Sequence, residues 1–323
     1  MLRVPLTLAC VLAAAWAGAS RPVAAPPPAH AVPAPPDRAS SLIGARPLPF
    51  FYDLYTFRGP QRSTAVVAAF AVAARELEKA EVDDEVRYRF GVTLVLADTA
   101  LRTVSQTDDS VFVRFDRPLA GEHLLFTQIE VHTPPSTSTL QRVIMIDATR
   151  PGIGQLYTTP FAIPDYSGSE LMLSDIALGH PEAEAGWRRG QVTLALLPTS
   201  QFPQSSFDVY YEIYNLPPRH PYRTEIAIEQ VDDAGARVGE VRPVRLRFSG
   251  EAAAHSDGAL PELRRVEASL AKGRYRLTVT IEDEETGRTA SRSRFFQVRG
   301  WEPGVTMVAA IPRGGRHSRV GSR

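Results

Sequence analysis

Cysteine is almost absent from this sequence: among 323 residues the single one is Cys10. It falls inside "MLRVPLTLACVLAAAWAGAS", where Arg3 gives a positive start, Leu6–Trp16 an apolar core and Ala17-Gly18-Ala19 a small-x-small motif. That three-part pattern predicts a secretory signal peptide over residues 1–19, cleaved after Ala19. The apolar core continues through Val11–Ala17, so Cys10 is not placed for lipid attachment and leaves with the signal. A mature chain of this kind has no disulfide, no thiol nucleophile and no thiolate metal site. No other apolar run reaches about 18 residues, so no transmembrane segment is expected after cleavage. Lysine is nearly missing too, with only Lys79 and Lys272. Lys+Arg and Asp+Glu stand equal at 36 each, which gives no basic excess for a nucleic-acid partner to meet.

Catalytic signatures are also missing. There is no G-x-S-x-G, and Ser167 and Ser169 in "DYSGSEL" have glycine only between them. Ser269 and Lys272 match S-x-x-K, but they run into a strand and lack the S-D-N and K-T-G partners of that chemistry. No H-E-x-x-H occurs, and His123, His132, His180, His220 and His255 are scattered. "PGIGQL" is too short for a dinucleotide fingerprint. No enzyme activity and no cofactor is therefore expected, unless folding brings His180 or His220 beside Ser174 and Asp175. Acidic clusters at Asp83-Asp84-Glu85, Asp108-Asp109, Asp232-Asp233 and Asp283-Glu284-Glu285 offer oxygen ligands for Ca²⁺ on loops. None has the alternating calcium-loop pattern, and all are placed where strands should end and aspartate makes turns. No metal ligand is assigned.

What is present is alternation. Residues 20–46 form a Pro/Ala-rich stretch with few large apolar side chains, predicted as a disordered linker. After it come "FFYDLYTF", "STAVVAAFAV", "EVRYRFGVTLVLAD", "SVFVRF", "HLLFTQIEV", "TLQRVIMIDA", "ELMLSDI", "QVTLALLP", "YRTEIAIEQV", "RPVRLRF", "RYRLTVTIED" and "SRSRFFQV". Period-two runs broken by turn residues predict an all-β chain of two tandem immunoglobulin-like β-sandwich domains, over residues 47–160 and 161–300. Residues 301–323, with Arg313, Arg316, Arg319 and Arg323 and few acids, are expected to be a flexible basic tail. Laid without gaps from Gly121 and from Gly273, the two halves match at Ile129/Ile281, Glu130/Glu282, Thr137/Thr289 and Arg142/Arg294. Each half is therefore expected to end in a like hairpin, with Tyr275 placed as a tyrosine-corner residue and His123 in the same place of the first half.

"FDVYYEIYNLP" (Phe207–Pro217) is the most patterned strand. Phe207, Val209, Tyr211 and Ile213 should face a core. Asp208, Tyr210, Glu212 and Tyr214 take the other side. Asp208 and Glu212 lie about 13 Å apart along a strand at ~3.3 Å per residue, too far for a glycosidase pair. The plain reading is a solvated face pairing with arginines such as Arg223, Arg245 or Arg276. The same four residues are also the candidate partner-binding surface, since tyrosine is favoured at interfaces.

"SGSELMLSDIAL" (Ser167–Leu178), followed by "FDVYYEIYNLP" and closed by "GRYRLTVTIEDEETGRTASRSRFFQV", resembles the β-rich portion of bacterial GWxTD-domain proteins. The resemblance covers about residues 165–300, and the namesake motif is absent, since Gly186-Trp187 continues as Arg188-Arg189. It implies an exported bacterial protein of unknown activity and brings no functional residues with it. The expected function is a non-catalytic binding or scaffolding role with an envelope protein as possible partner, in the periplasm or outside the cell. The alternative is a Ca²⁺-dependent or glycan-binding sandwich module.

Overall fold

Alternating β-branched and aromatic residues favour a pleated surface buried on one side, and nearly every run with that pattern is a strand. A computed structural model of the chain describes residues 47–121, 123–150, 154–181, 186–198, 206–239, 242–253, 258–298 and 307–309. The predicted signal peptide and linker lie outside the described residues. Among those described there is no α-helix, and hence none long and apolar enough to cross a membrane.

The first half contributes β1 (Phe51–Arg58), β2 (Thr64–Ala73), β3 (Lys79–Val82), β4 (Glu85–Ala97), β5 (Thr103–Phe115), β6 (Leu124–Thr133), β7 (Ser136–Asp147) and β8 (Gly154–Ile163). One sheet runs β1-β2-β6. The facing sheet places β5 along one side of β4, with β3 and then β7 on its other side and β8 beyond. Val66, Ala68, Phe70 and Val72 of β2 meet Phe90, Val92, Leu94 and Leu96 of β4 in the core between them. That core closes with Ile163, slightly beyond residue 160.

The second half contributes β9 (Met172–Leu173), β10 (Ala177–Pro181), β11 (Trp187–Arg189), β12 (Val192–Leu196), β13 (Ser206–Tyr214), β14 (Pro221–Val231), β15 (Val244–Glu251), β16 (Ala259–Glu267), β17 (Gly273–Asp283) and β18 (Thr289–Val298). Its sheets are β11-β12-β10-β13-β16, with β9 also on β13, and β15-β14-β17-β18. Phe207, Val209, Tyr211 and Ile213 of β13 face a core with Ile226, Ile228, Leu277, Val279 and Ile281, as the alternation requires. The Tyr275 hydroxyl donates to the Ala271 carbonyl at 2.8 Å, the backward hydrogen bond of a tyrosine corner. In the first half His123 Nδ1 reaches the Ala120 carbonyl at 3.1 Å.

Two expectations are corrected. β17 and β18 form a hairpin, but β6 and β7 do not: β6 pairs with β2, and β7 with β4 and β8. Pro134-Pro135 between β6 and β7 lack the N–H groups a tight hairpin turn would use, and the chain crosses to the facing sheet there. The stretch after residue 300 is not all tail. Met307–Ala309 form β19, which pairs in parallel with β6 and so returns the chain to the first half.

The two cores do not make two free bodies. β2 is buried at all ten positions, so both of its faces are covered. Ala65, Val67 and Ala69 point away from the first core and pack, with Tyr55 and Phe57, on Ala177, Trp187, Leu194, Leu196 and Tyr210 of the second half. A run buried on both faces is apolar throughout rather than alternating, and "TAVVAAFAVA" is such a run. The small alanines set how closely the facing sheets approach. A larger side chain there would overpack the contact.

Candidate functional site

The four residues proposed as a solvated or partner-facing row are all buried: Asp208 at 4% exposure, Tyr210 at 0%, Glu212 at 4% and Tyr214 at 0%. They are not a wet strand face: Phe57 and Arg58 of β1 lie against Tyr210 and Tyr214, and Asp208 is paired with Arg265 of the neighbouring β16. Tyr210 packs edge-on against Trp187 at 5.4 Å between ring centroids and lies 5.8 Å from the Phe57 ring of β1.

Glu212 is the hub. Arg189 on β11 grips it twice, Nε to Oε1 at 2.7 Å and Nη2 to Oε2 at 2.9 Å. Tyr210 donates to Oε1 at 2.7 Å and Tyr214 to Oε2 at 2.6 Å. Four donors therefore compensate a carboxylate taken out of water, the condition under which a buried ion pair is tolerated. Arg189 also donates to the Arg58 carbonyl at 2.6 Å, and the Arg58 N–H to Tyr214 Oη at 2.8 Å, which ties β1 to β13. Burial alone would lower the Arg189 pKa, but the hydrogen bond and charge of Glu212 hold it above its ordinary value. Burial, then the Glu212 charge, pushes Tyr210 and Tyr214 well above the phenol range.

A second clamp is built from Asp175. Its Oδ2 accepts the Thr56 N–H at 2.9 Å and the Thr56 hydroxyl at 2.7 Å, and its Oδ1 accepts Arg292 Nε at 2.7 Å. Arg294, on the same face of β18 as Arg292, pairs with Asp53, donates to the Leu54 carbonyl at 2.9 Å and lies 4.0 Å over the Tyr55 ring. Further bonds complete the seal: Tyr55 Oη to the Leu197 carbonyl at 2.6 Å and Trp187 Nε1 to Glu130 at 3.0 Å. The three stretches singled out from the sequence, Ser167–Leu178, Phe207–Pro217 and Gly273–Val298, thus converge on one junction. Sequence reasoning missed Arg189, Arg292 and Arg294 as its charged members, and considered Asp175 only as a catalytic neighbour of Ser174. Arg223, Arg245 and Arg276, named as partners for the row, pair instead with Glu282 and Glu284, with Glu225 and with Glu229.

The junction leaves little free for chemistry. The Ser174 hydroxyl accepts the Glu212 N–H at 2.8 Å and donates to the Asp175 carbonyl at 2.7 Å. His220 is not drawn to it, but lies 3.0 Å from Asp283 and 3.3 Å from Glu285. His180 lies within the fields of Asp208 and Arg265, and burial holds its pKa below the usual imidazole value. Of the acidic clusters, Asp108-Asp109 lies within β5 rather than at a strand end. Asp232 caps a turn through the Ala236 N–H at 2.8 Å, and Asp283 accepts from Thr286 at 2.6 Å and from Arg288 at 3.2 Å. Among the described residues no three His, Cys, Asp or Glu side chains gather as a metal site requires.

At one end of the junction lies a cleft of about 220 Å³ lined by Arg58, Gly59, Arg62, Ser63, Ser167, Gly168 and Asn215. The β1–β2 turn forms one wall. Gly59 allows the turn to close: its N–H bonds the Ser63 carbonyl at 2.8 Å, and a Cβ there would stand 2.4 Å from Ser63 Oγ. The segments before β9 and after β13 form the other wall.

No family model matches the chain, and no curated protein matches it. Among solved structures, similarity is found to a Bacteroides uniformis beta-glucuronidase (TM-score 0.24, 9% identity, 76% of this chain and 28% of that one). It is found also to red sea bream transglutaminase (TM-score 0.21, 11% identity, 77% of this chain and 31% of that one). The chain thus spans under a third of either protein's length, and likeness of this degree carries nothing about activity.

Proposed function

We propose that this chain is an exported, non-catalytic binding or scaffold protein of the bacterial cell envelope, delivered by the signal peptide read at residues 1–19. One observation carries the non-catalytic part. Glu212, like Asp175, accepts four hydrogen bonds in the junction, and all four of its donors are supplied by its own chain. An acid committed to Arg189, Tyr210 and Tyr214 orients the two groups, Arg189 and Tyr214, that bond the Arg58 backbone of the other sandwich, and leaves no lone pair pattern open for a substrate proton. Rigid spacing of two sheets is what a scaffold needs. Kinship with the β-rich part of GWxTD-domain proteins belongs to the same proposal. A partner would meet another surface than the outer face of β13.

The test is site-specific photo-cross-linking in the native envelope, with the photoreactive residue placed in turn at Asp108 on β5, Thr278 on β17 and Leu263 on β16. Repeated capture of one envelope protein from one face, absent from the other two, is expected. No adduct from any face, or turnover of a glycoside, ester or peptide substrate by the purified protein, would refute the role. N-terminal mass measurement of the exported form checks cleavage after Ala19.

A further inference from the structure

The cleft beside the junction has a one-sided charge. Its seven lining residues include two guanidiniums and no carboxylate, in a chain whose formal net charge is zero. The two arginines differ in standing. Arg58 is fixed: Nε donates to the Tyr166 carbonyl at 3.0 Å, Nη2 to Asn215 Oδ1 at 2.9 Å, and the guanidinium stacks 4.3 Å over the Tyr214 ring. Arg62 is uncommitted. It makes one long contact, Nη2 to Ser167 Oγ at 3.5 Å in an exposed setting, and no ion pair with any described carboxylate. Asp165, the nearest acid in electrostatic terms, is engaged by the Ser167 N–H at 2.8 Å. Hydrogen bonds from Ser167, and to a lesser degree the charge of Arg62, hold its carboxyl below the usual range.

The backbone around the cleft is unusual as well. Gln61 (φ 53°), Arg62 (φ 63°) and Asn215 (φ 62°) are all left-handed. Asparagine tolerates that region, but two consecutive long side chains in it cost about 1–2 kcal/mol each in general. The strain places Arg62 on the cleft wall facing Ser167. Asn215 is locked by its own amide, which donates to the Gly168 and Glu170 carbonyls at 2.8 and 2.7 Å. The floor and the far wall are therefore set before any ligand arrives, and Arg62 is the arm left open.

We propose that this cleft binds a small tetrahedral oxyanion, a phosphate ion or the phosphate of a monoester, with Arg62 as its principal donor and Arg58 as the fixed positive floor. Guanidinium donors suit phosphate because charge-assisted hydrogen bonds are the strong ones and the planar fork can bind two oxygens. Arg62 Nη2 is turned across the cleft towards Ser167, so an oxyanion lodged between the two walls meets the open guanidinium fork. The volume is below the roughly 300–1,000 Å³ of pockets for drug-sized ligands, so a single charged group fills it. Because the walls come from both sandwiches, the bound anion would sit between them. This assignment does not depend on whether the chain holds a protein partner.

The experiment is calorimetric titration of the full mature chain with inorganic phosphate, glucose 1-phosphate and acetate at fixed ionic strength. It is run on the parent and on the Arg62→Ala, Arg62→Lys and Arg102→Ala variants. Arg62 and Arg102 are both exposed, so these changes leave the fold intact, and far-UV circular dichroism verifies it. Saturable phosphate binding is expected, weakened at least tenfold by Arg62→Ala, less by Arg62→Lys and not by Arg102→Ala. Tighter binding of glucose 1-phosphate than of inorganic phosphate would support a headgroup as the source, and the reverse a free ion. Absence of saturable binding would overturn the proposal, as would equal weakening by Arg62→Ala and Arg102→Ala. Acetate binding as tightly as phosphate would overturn the tetrahedral assignment.

Discussion

Replacing Glu212 by glutamine keeps the side chain's volume and removes its charge. The parent carboxylate accepts from Arg189 twice, from Tyr210 and from Tyr214, all within 2.9 Å. In the variant one oxygen becomes an amide NH₂, which donates rather than accepts, so the two donors on that side face another donor. Arg189, whose side chain is 21% exposed, keeps a charge with no counterion in the same place. Breaking a buried pair from one side costs about 3–5 kcal/mol, and two stranded donors at about 1–3 kcal/mol each give about 2–6 kcal/mol, which brackets it. Urea unfolding at neutral pH should show the midpoint falling by that free energy with the slope unchanged. In thermal unfolding the same loss lowers Tm by roughly 5–8 °C for a chain of this size. Glu225→Gln is the control, since Glu225 pairs with exposed Arg245 and Arg247 and a solvent-screened surface pair contributes little to stability. Replacing Glu212 and Arg189 together by methionine should cost less than either change alone, because no charge is then stranded. If Glu212→Gln destabilised no more than Glu225→Gln, the idea that this carboxylate holds the junction would be wrong.

The other expectations follow from the same contacts. Burial pushes Tyr211 up to about 12, and Tyr55, Tyr210 and Tyr214 are raised as well, again by burial first. Folded pKa values above the unfolded ~10 mean that this stability is complete below about pH 10 and lost as pH rises through about 12. Phenolate absorbance should therefore rise in one step with unfolding, and a smooth titration of these four rings in folded protein would contradict their burial. For Asp283 burial alone would raise the pKa, but hydrogen bonds from Thr286, His220 and Arg288 reverse that and depress it. Its contribution is present above the unfolded ~3.8 and lost as pH falls below it. Asp283→Asn should flatten the acid limb of the stability curve, and an unchanged limb would count against the assignment. Ala69→Leu, placed where β2 meets the second sandwich, should cost about 1–3 kcal/mol by overpacking, and a neutral result would mean the sheets have room there.

How much of this was open to a reader of the sequence alone depends on what a pattern can encode. Period two in "FDVYYEIY" states that two faces differ and which of them meets the nearer core, and Phe207, Val209, Tyr211 and Ile213 do meet it. It does not state what covers the other face. The covering partner left a mark elsewhere, in the unbroken small apolar run of β2, which is what burial on both faces demands. β16 escaped detection because Pro261 and the charges of Glu262, Arg264 and Arg265 disguise its alternation, yet it pairs with β13 along its whole length. Proline is at home on such an edge strand. The charged pairs of the junction were out of reach for a different reason. Asp175 and Arg292 stand 117 residues apart, and Asp53 and Arg294 stand 241 apart, so only the folded topology makes them neighbours. The arginine cleft was equally hidden, since Arg62 and Ser167 come from the two different sandwiches.

The central claim is that the outer face of β13 is an internal junction which joins the two sandwiches into one cooperative body. Differential scanning calorimetry of the mature chain tests it most directly. A single transition is expected, with the calorimetric and van't Hoff enthalpies equal, and Glu212→Gln should shift that whole transition downward. Two resolved transitions, with only one of them moved by Glu212→Gln, would contradict the account.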